Sequence, residues 1–578
     1  MLLGMAQSTG AMHVATIRRR HGDRVYESHL IRRSIRDGKR VRHETIANVS
    51  KLPPAALDAL RRALAGQTLV AADEAFDVER SLPHGHVAAV LTAVRRLELA
   101  RLLDRAPSRE RSLVIAMIAK RLLEPGSKLA CARTLGQSTL ADELDVAGAD
   151  EDELYAALDW LGERHEQIEA RLARRHLHTG ELALYDLSSS YFEGRTCPLA
   201  ALGYSRDGRR GTLQIVYGLL TDRAGRPVAV EVFDGATHDH QTVPAQLDKL
   251  KARFGLSEVV LVADRGMVTR ANLDAIRHAD GIEWITALKA PQVKRLARTG
   301  AFQPSLFDEV NLAEITAEEF PGERLVVCRN PLVAAERARK REALLAATEA
   351  DLEPIRERVA AGRLSDAAAI GLAVGEVIKR HRVKKHFALD IADGHFSYAR
   401  KTDQIAEEAA LDGIYVLRTS VAADRLDAPD VVRAYKQLKE VERDFRVLKG
   451  PELEIRPIHH RLEHRVRAHV FLCMLALYVE HHLRRTWREL TFHDEQPPHQ
   501  RDPVAKATRS PAAQRKATTK TTSAGQPVHS LRTLLAELKL QTRNTIRVAD
   551  TPATFTKLTR PTPLQSRALE LADTIAIE

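Results

Sequence analysis

The feature that most constrains the fold is a change of period at residue 182. From about 53 up to that point, apolar residues recur at helical spacing. Beyond it they bunch into short runs, "LALYDLSSSYFEG", "TLQIVYGLLTD" and "PVAVEVFDG", separated by Gly-rich or charged turns. The helix pattern "TVPAQLDKLKARFG" follows, then the apolar run "EVVLVAD", the helix pattern "TRANLDAIRHAD" and the strand pattern "EWITALK". Runs of this kind read as strands, and their alternation with helices predicts an α/β, multidomain chain built on a mixed sheet flanked by helices.

The remainder divides around that sheet. Residues 1–52 alternate basic and apolar positions about "HGDR" and "RDGKR", which predicts a small basic hairpin region with Gly turns. Residues 53–180 read as helical. There "RSLVIAMIAKRLLEPGSKLACARTL" gives helix, Pro-Gly turn, helix, a pattern that suits bundle packing before direct base contact. Residues 181–290 hold the first part of the sheet domain. Residues 291–410 break its rhythm with a long charged helix pattern and an Asp-Gly hairpin signal at 393–394, and read as an inserted, mostly helical subdomain. The strand pattern "IYVLRTS" resumes the sheet in 411–490. Residues 491–528 are basic, low in complexity and poor in apolar residues, which predicts a disordered linker, and 529–578 reads as a C-terminal helical segment.

Composition narrows the function classes. The chain of 578 residues is 44% hydrophobic and 29% charged, as in water-soluble globular proteins. Its net charge of +11 permits a polyanionic partner once acids and bases are segregated. Cys131, Cys197, Cys328 and Cys473 lie far apart with no CxxC, so neither a disulfide framework nor a zinc finger is expected, and a cytoplasmic location is the simpler reading. The N-terminus lacks the pattern of a secretory signal. The apolar run "VFLCMLALYV" is about half the length of a membrane span and predicts a buried helix.

Two aspartates interrupt or end apolar strands, where an unpaired carboxylate is costly. Asp186 lies within "LALYDLSSS" and Asp264 at the end of "VVLVAD". A third acid comes from "YKQLKEVERDFRVLK": on one continuous helix, residues seven apart fall about 20° short of two full turns. Tyr435, Glu442 and Lys449 then share a face, with Lys439 and Arg446 on its flank, and Leu438, Val441, Phe445 and Leu448 form a docking stripe. Asp186, Asp264 and Glu442 supply hard oxygen ligands suited to Mg2+ or Mn2+, and two such ions serve phosphoryl displacement. The cations Lys439, Arg446 and Lys449 would hold a phosphodiester backbone, and Tyr435 would join them as a DNA-binding residue, flanking Glu442 with Lys449.

These residues resemble the DDE transposases, which have an RNase H-like core. The helix is similar to that of insertion-sequence transposases of the YREK-signature group, Tyr-x2-Arg-x3-Glu-x6-Lys, with Tyr435, Glu442 and Lys449 at those spacings and Leu438 at the Arg position. "DRG" at 264–266 and "YDLSSSYFEG" resemble the blocks around the group's two aspartates. The resemblance implies metal-dependent cleavage of double-stranded DNA at the element's terminal inverted repeats and strand transfer into target DNA, in cut-and-paste transposition. It also implies a homodimer in a synaptic complex, DNA binding by the N-terminal region, dimerisation through the C-terminal one, and an insertion between Asp264 and Glu442. The alternatives are a nuclease or resolvase of the same sheet type without strand transfer, and a non-catalytic DNA-binding relative.

Three further signals are given bland readings. "THDHQT" at 237–242 reads as a loop near the groove, the histidines of "HHRLEHRVRAH" as a basic face near phosphates, and "DGRRG" as turn chemistry with no phosphate-loop pattern.

Overall fold

The computed structural model describes residues 10–37, 40–67, 75–308, 310–549 and 551–577. They form two compact units, Met1–Ser81 with Arg543–Thr559 and Leu82–Thr542 with Arg560–Glu578.

In the first unit, strands Met12–His21, Arg24–Asp37 and Arg40–Asn48 make an antiparallel sheet, followed by helix Pro54–Leu64. His21 pairs with Arg24 across a tight turn in which Gly22 adopts φ +61°. A second three-stranded sheet pairs Phe76–Pro83 with two strands from the far end of the chain, Thr542–Val548 and Thr554–Leu558. Helical periodicity therefore fails at both places. Residues 53–180 contain a strand, and 529–578 contain a hairpin between helices Leu531–Lys539 and Pro563–Asp573. The hairpin sequences "TRNTIRV" and "TFTKL" are rich in β-branched residues, which favour strands.

The second unit is organised around one mixed sheet of eight strands: β1 (Leu182–Tyr191), β2 (Gln214–Asp222), β3 (Pro227–Phe233), β4 (Val259–Ala263), β5 (Ile282–Ala287), β6 (Leu312–Ile315), β7 (Arg324–Arg329) and β8 (Ile414–Thr419). Their order is β6-β7-β8-β5-β4-β1-β2-β3. β1–β2–β3 is an antiparallel meander, and β4 and β5 add in parallel beside β1. This arrangement is the mixed, helix-flanked sheet expected of an RNase H-like core. All of β4, "VVLVA", is buried, as the interior of a parallel pair covered on both faces requires.

Helices cover the sheet: α1 (Arg109–Leu123), α2 (His165–His176), α3 (Ala428–Lys436), α4 (Leu438–Lys449) and α5 (Glu463–Thr486). α5 is buried without interruption from Val470 to Val479, and packs on β3 and on α1. Among the described residues no helix is long and apolar enough to cross a membrane. α1 is buried from Leu113 to Leu122, so the helix–turn–helix pattern it opens serves packing.

Three expectations need correction. The sheet does not stop at residue 290, because β6 and β7 extend it within the expected insertion. The inserted piece proper leaves at Asn330 and returns at Gly413, whose carbonyl accepts from the Asn330 amide at 2.9 Å. Gly413 has φ +75°, and a Cβ there would stand 2.4 Å from the Asn330 carbonyl oxygen. Between these ends, helices Pro331–Ala360 and Ala367–His381 and hairpin Phe387–Arg400 enclose their own core, including Leu352, Ile370 and Phe396.

The second correction concerns 491–528, which is ordered by polar anchoring in place of apolar burial. Asp494 accepts from the Ser510 amide and hydroxyl at 2.8 and 2.7 Å, helix Pro511–Thr519 follows, and Lys516 donates to the carbonyls of Arg488 and His493. The third is that Tyr435–Lys449 is not one helix. α3 ends and α4 begins around Gln437, whose carbonyl accepts from the Glu440 amide in an i to i+3 bond. The single face assumed across seven-residue steps is therefore interrupted.

Candidate active site

β1 is a central strand, so Asp186 cannot be a solvent-facing edge residue. The parallel register runs from Leu182 opposite Val260 to Tyr185 opposite Ala263. One step further sets Asp186 beside Asp264, where β4 ends and the chain turns (the Met267 amide donates to the Asp264 carbonyl). Ligands gather outside strand ends of this kind in open sheets.

Glu442 arrives from the helix side. Leu438, Val441, Phe445 and Leu448 are buried, and α4 lies against β1. The ring of Phe445 meets that of Tyr217 edge-on at 5.9 Å. This docking leaves Lys439, Glu442 and Arg446 exposed as one stripe.

Electrostatics tie the three acids together. Burial pushes the Asp186 carboxyl up to about 7; the Leu187 amide, donating at 2.8 Å, opposes the shift, and the charges of Asp264 and Glu442 add to it. Arg206 works against the rise. The Tyr435 hydroxyl donates to Asp264 at 3.3 Å, and its own pKa is raised, first by burial and then by that carboxylate. Tyr435, on α3, thus addresses an acid. Lys449 is turned away from the exposed stripe: its ammonium lies 2.8 Å from Asp207, which Arg456 also meets at 2.6 Å. Burial lowers the Lys449 pKa, with Asp207 opposing.

Leu438 is 7% exposed and belongs to the core, so a residue at that position on this helix faces away from any phosphate. Glu440 pairs with Arg443 at 2.5 Å on the opposite side from Glu442. Asp444 is buried near Arg484 at 3.6 Å, and burial pushes its carboxyl up to about 8.

A carboxyl raised first by burial and then by two neighbouring carboxylates is one that a divalent cation would relieve, and an all-oxygen donor set suits Mg2+ or Mn2+. Among the described residues no three His, Cys, Asp or Glu side chains are already closed around one point.

Sequence reasoning missed the loop between β1 and β2. The run "GYSRDGRRG" reads as turn chemistry, yet Asp207 is 1% exposed and accepts from the Tyr191 amide at 2.9 Å. An acid flanked by arginines, but unable to pair with them in a tight turn, was the available signal. The histidine expectations also change. His469 is buried beside His460, their rings 4.8 Å apart, while Arg465 is taken up by Asp159 and Arg467 by Glu463. In "THDHQT", Asp239 pairs with Arg206 and its Oδ2 lies 3.1 Å from where a Cβ on Gly266 would stand.

Two family models match the chain. Residues 194–479 match the transposase DDE domain, and residues 14–75 match the N-terminal domain of the IS1634 family transposases. The first match includes Asp264 and Glu442 and begins shortly after Asp186. No curated protein matches the chain. A solved structure described as a cryo-EM structure of piggyBac transposase synaptic complex with hairpin DNA is similar over 79% of this chain and 80% of that one, with 8% identity and a TM-score of 0.34. A likeness at that score carries no argument about the site. The two family matches support a transposase.

Proposed function

We propose that this chain, matched to a transposase DDE domain over residues 194–479, is an insertion-sequence DDE transposase of the cut-and-paste type. What supports the reading is that the charges of two carboxylates from unlike elements, Asp264 at the end of the parallel neighbour strand and Glu442 on a docked helix, both act on Asp186 in a central strand. Structural ion pairs do not need a sheet centre, a strand end and a helix to coincide.

Asp186, Asp264 and Glu442 would hold one or two Mg2+ or Mn2+ ions. When bound, these supply Lewis-acid activation of the attacking oxygen and charge stabilisation at the leaving oxygen. The protein's own part is placement. Tyr435 fixes the Asp264 carboxylate by its hydrogen bond, Lys439 and Arg446 present cations to the DNA backbone beside Glu442, and Lys449 holds the loop carrying Asp207. Tyr435 and Lys449 thus support the site through neighbouring carboxylates. DNA binding by the N-terminal region, the homodimer and a cytoplasmic location belong to the same proposal. The buried thiols of Cys131, Cys197, Cys328 and Cys473 agree with a reducing compartment.

The test is incubation of the protein with DNA carrying the element's ends and a separate target, with and without Mg2+. Nicking at the ends followed by joining of the freed 3′-hydroxyl to target, abolished by chelator, is the expected result. Nicking without joining would move the reading to a nuclease, and binding alone to a non-catalytic relative. Tyr435→Phe is expected to slow cleavage by about fivefold, the effect of one aimed hydrogen bond of roughly 1 kcal/mol, with DNA affinity unchanged. Lost affinity at full cleavage rate would instead make Tyr435 a direct DNA contact.

A further inference from the structure

The loop between β1 and β2 is built more firmly than a turn requires. Asp207, inside it, is clamped by Lys449 and Arg456, and the Gln214 side-chain amide donates to the carbonyls of Tyr204 and Gly235 at 3.1 and 2.8 Å. The Arg206 amide donates to the Ser189 hydroxyl on β1 at 3.1 Å. These anchors fix the backbone of Arg206 three residues along the strand from Asp186. Its guanidinium lies 5.8 Å over the ring of Tyr204, which is itself 80% exposed.

The Arg206 charge reaches two places in the site, Asp186 and Lys449. Its direct partner is neither. The guanidinium is bonded to Asp239, on the 237–242 loop that touches Gly266 just beyond Asp264. Asp239 is 37% exposed and Arg206 17%, so solvent and a ligand reach the pair from the Asp239 side. A guanidinium matches a phosphodiester in bidentate geometry as well as it matches a carboxylate. Lys449 and Arg456 cannot take that part, because both are taken up by buried Asp207.

We propose that Arg206 is a phosphate-contacting residue of the DNA site, resting on Asp239 in the free protein and transferring to the phosphodiester that enters beside Asp186. The loop thereby supplies the cation that Leu438 does not provide from the helix. Asp239 acts as a placeholder that holds the guanidinium short of direct pairing with Asp186. This inference rests on the transposase reading and adds one ligand contact to it; no covalent step is involved.

The test compares binding of element-end DNA carrying either a natural or a methylphosphonate linkage at the cleaved position, with divalent cations chelated so that only protein side chains read the charge. Wild type is expected to prefer the natural linkage by about tenfold, the effect of one charge-assisted contact. Arg206→Ala should bind both DNAs alike and cleave natural DNA on the order of a hundredfold more slowly, and Arg206→Lys should recover only part of the preference. Asp239→Asn, which frees the guanidinium, should tighten binding of natural DNA by about threefold. A preference that persists in Arg206→Ala, or is absent from wild type, overturns the assignment, as does unchanged or weaker binding by Asp239→Asn. Cleavage by wild type with either of those results removes Arg206 alone; absence of cleavage by wild type removes the transposase reading itself.

Discussion

Glu442→Gln is expected to leave the protein folded and bound to DNA while reducing cleavage on the order of a thousandfold or more, as loss of a group acting with its partners does. The side chain is exposed, so its replacement should change stability by no more than about 0.5 kcal/mol. Asp186→Asn and Asp264→Asn should give the same loss of activity. Glu440→Gln is the informative control: its carboxylate is two residues away, paired with Arg443, and faces the other side of α4. Breaking a pair of that exposure costs about 0–1 kcal/mol and should leave cleavage near the wild-type rate. An inactive Glu440→Gln beside an active Glu442→Gln would mean that the helix meets the sheet with the wrong face assigned to the reaction.

The largest stability effect is expected far from the acids. Glu169 on α2 is fully buried; it lies 3.1 Å from the Lys249 ammonium, 2.9 Å from His165, and accepts from the Val230 amide on β3 at 2.8 Å. Lys249 is 1% exposed and also meets Glu231 at 2.8 Å. These contacts fasten the helical region to the edge of the sheet. Glu169→Gln leaves a buried ammonium with one partner fewer, and should lower unfolding stability by about 3–5 kcal/mol. Lys249→Met in the same chain should recover part of that loss by removing the uncompensated charge. Burial alone would raise the Glu169 pKa, yet Lys249, His165 and the Val230 amide bring it down to about 2. A depressed carboxyl stabilises the folded state above its ordinary value of 4.5 and ceases to do so as pH falls toward about 2. Denaturation of wild type and Glu169→Gln should therefore differ most near neutrality and converge below pH 4.5. A pH-independent difference would place the stabilisation in packing.

The three carboxylates proposed for the site stand out in the sequence because each breaks a pattern. Asp186 interrupts an apolar strand, Asp264 closes one, and Glu442 sits beside a docking stripe of period 3.6. The sheet's extension was less visible. β6 is four residues long, and "RLVVCR" of β7 stands next to a strong helix signal that dominates the local reading. Pattern also gives no warning of the break at Gln437, since no Pro or Gly marks it; packing of α3 near β5 and β8 and of α4 on β1 sets the two directions. The 491–528 segment was misread for a related reason. Hydrophobicity reports burial, whereas this stretch is fastened by Asp494, Lys516 and the Arg433 side chain, which donates to the carbonyls of Gln500 and Arg501. Arg206 and Asp207 illustrate the limit most plainly, because two adjacent residues of opposite charge in a turn look self-sufficient until Asp239 is brought beside the first and the distant Lys449 and Arg456 beside the second.

The strand Phe76–Pro83 finds its sheet neighbours only in residues 542–558. A ribosome therefore releases nearly the whole catalytic region before the N-terminal unit has the material to finish its second sheet. Phe76–Pro83 thus waits without its sheet partners while Asp186, Asp264 and Glu442 are synthesised and the strands that carry the first two can pair.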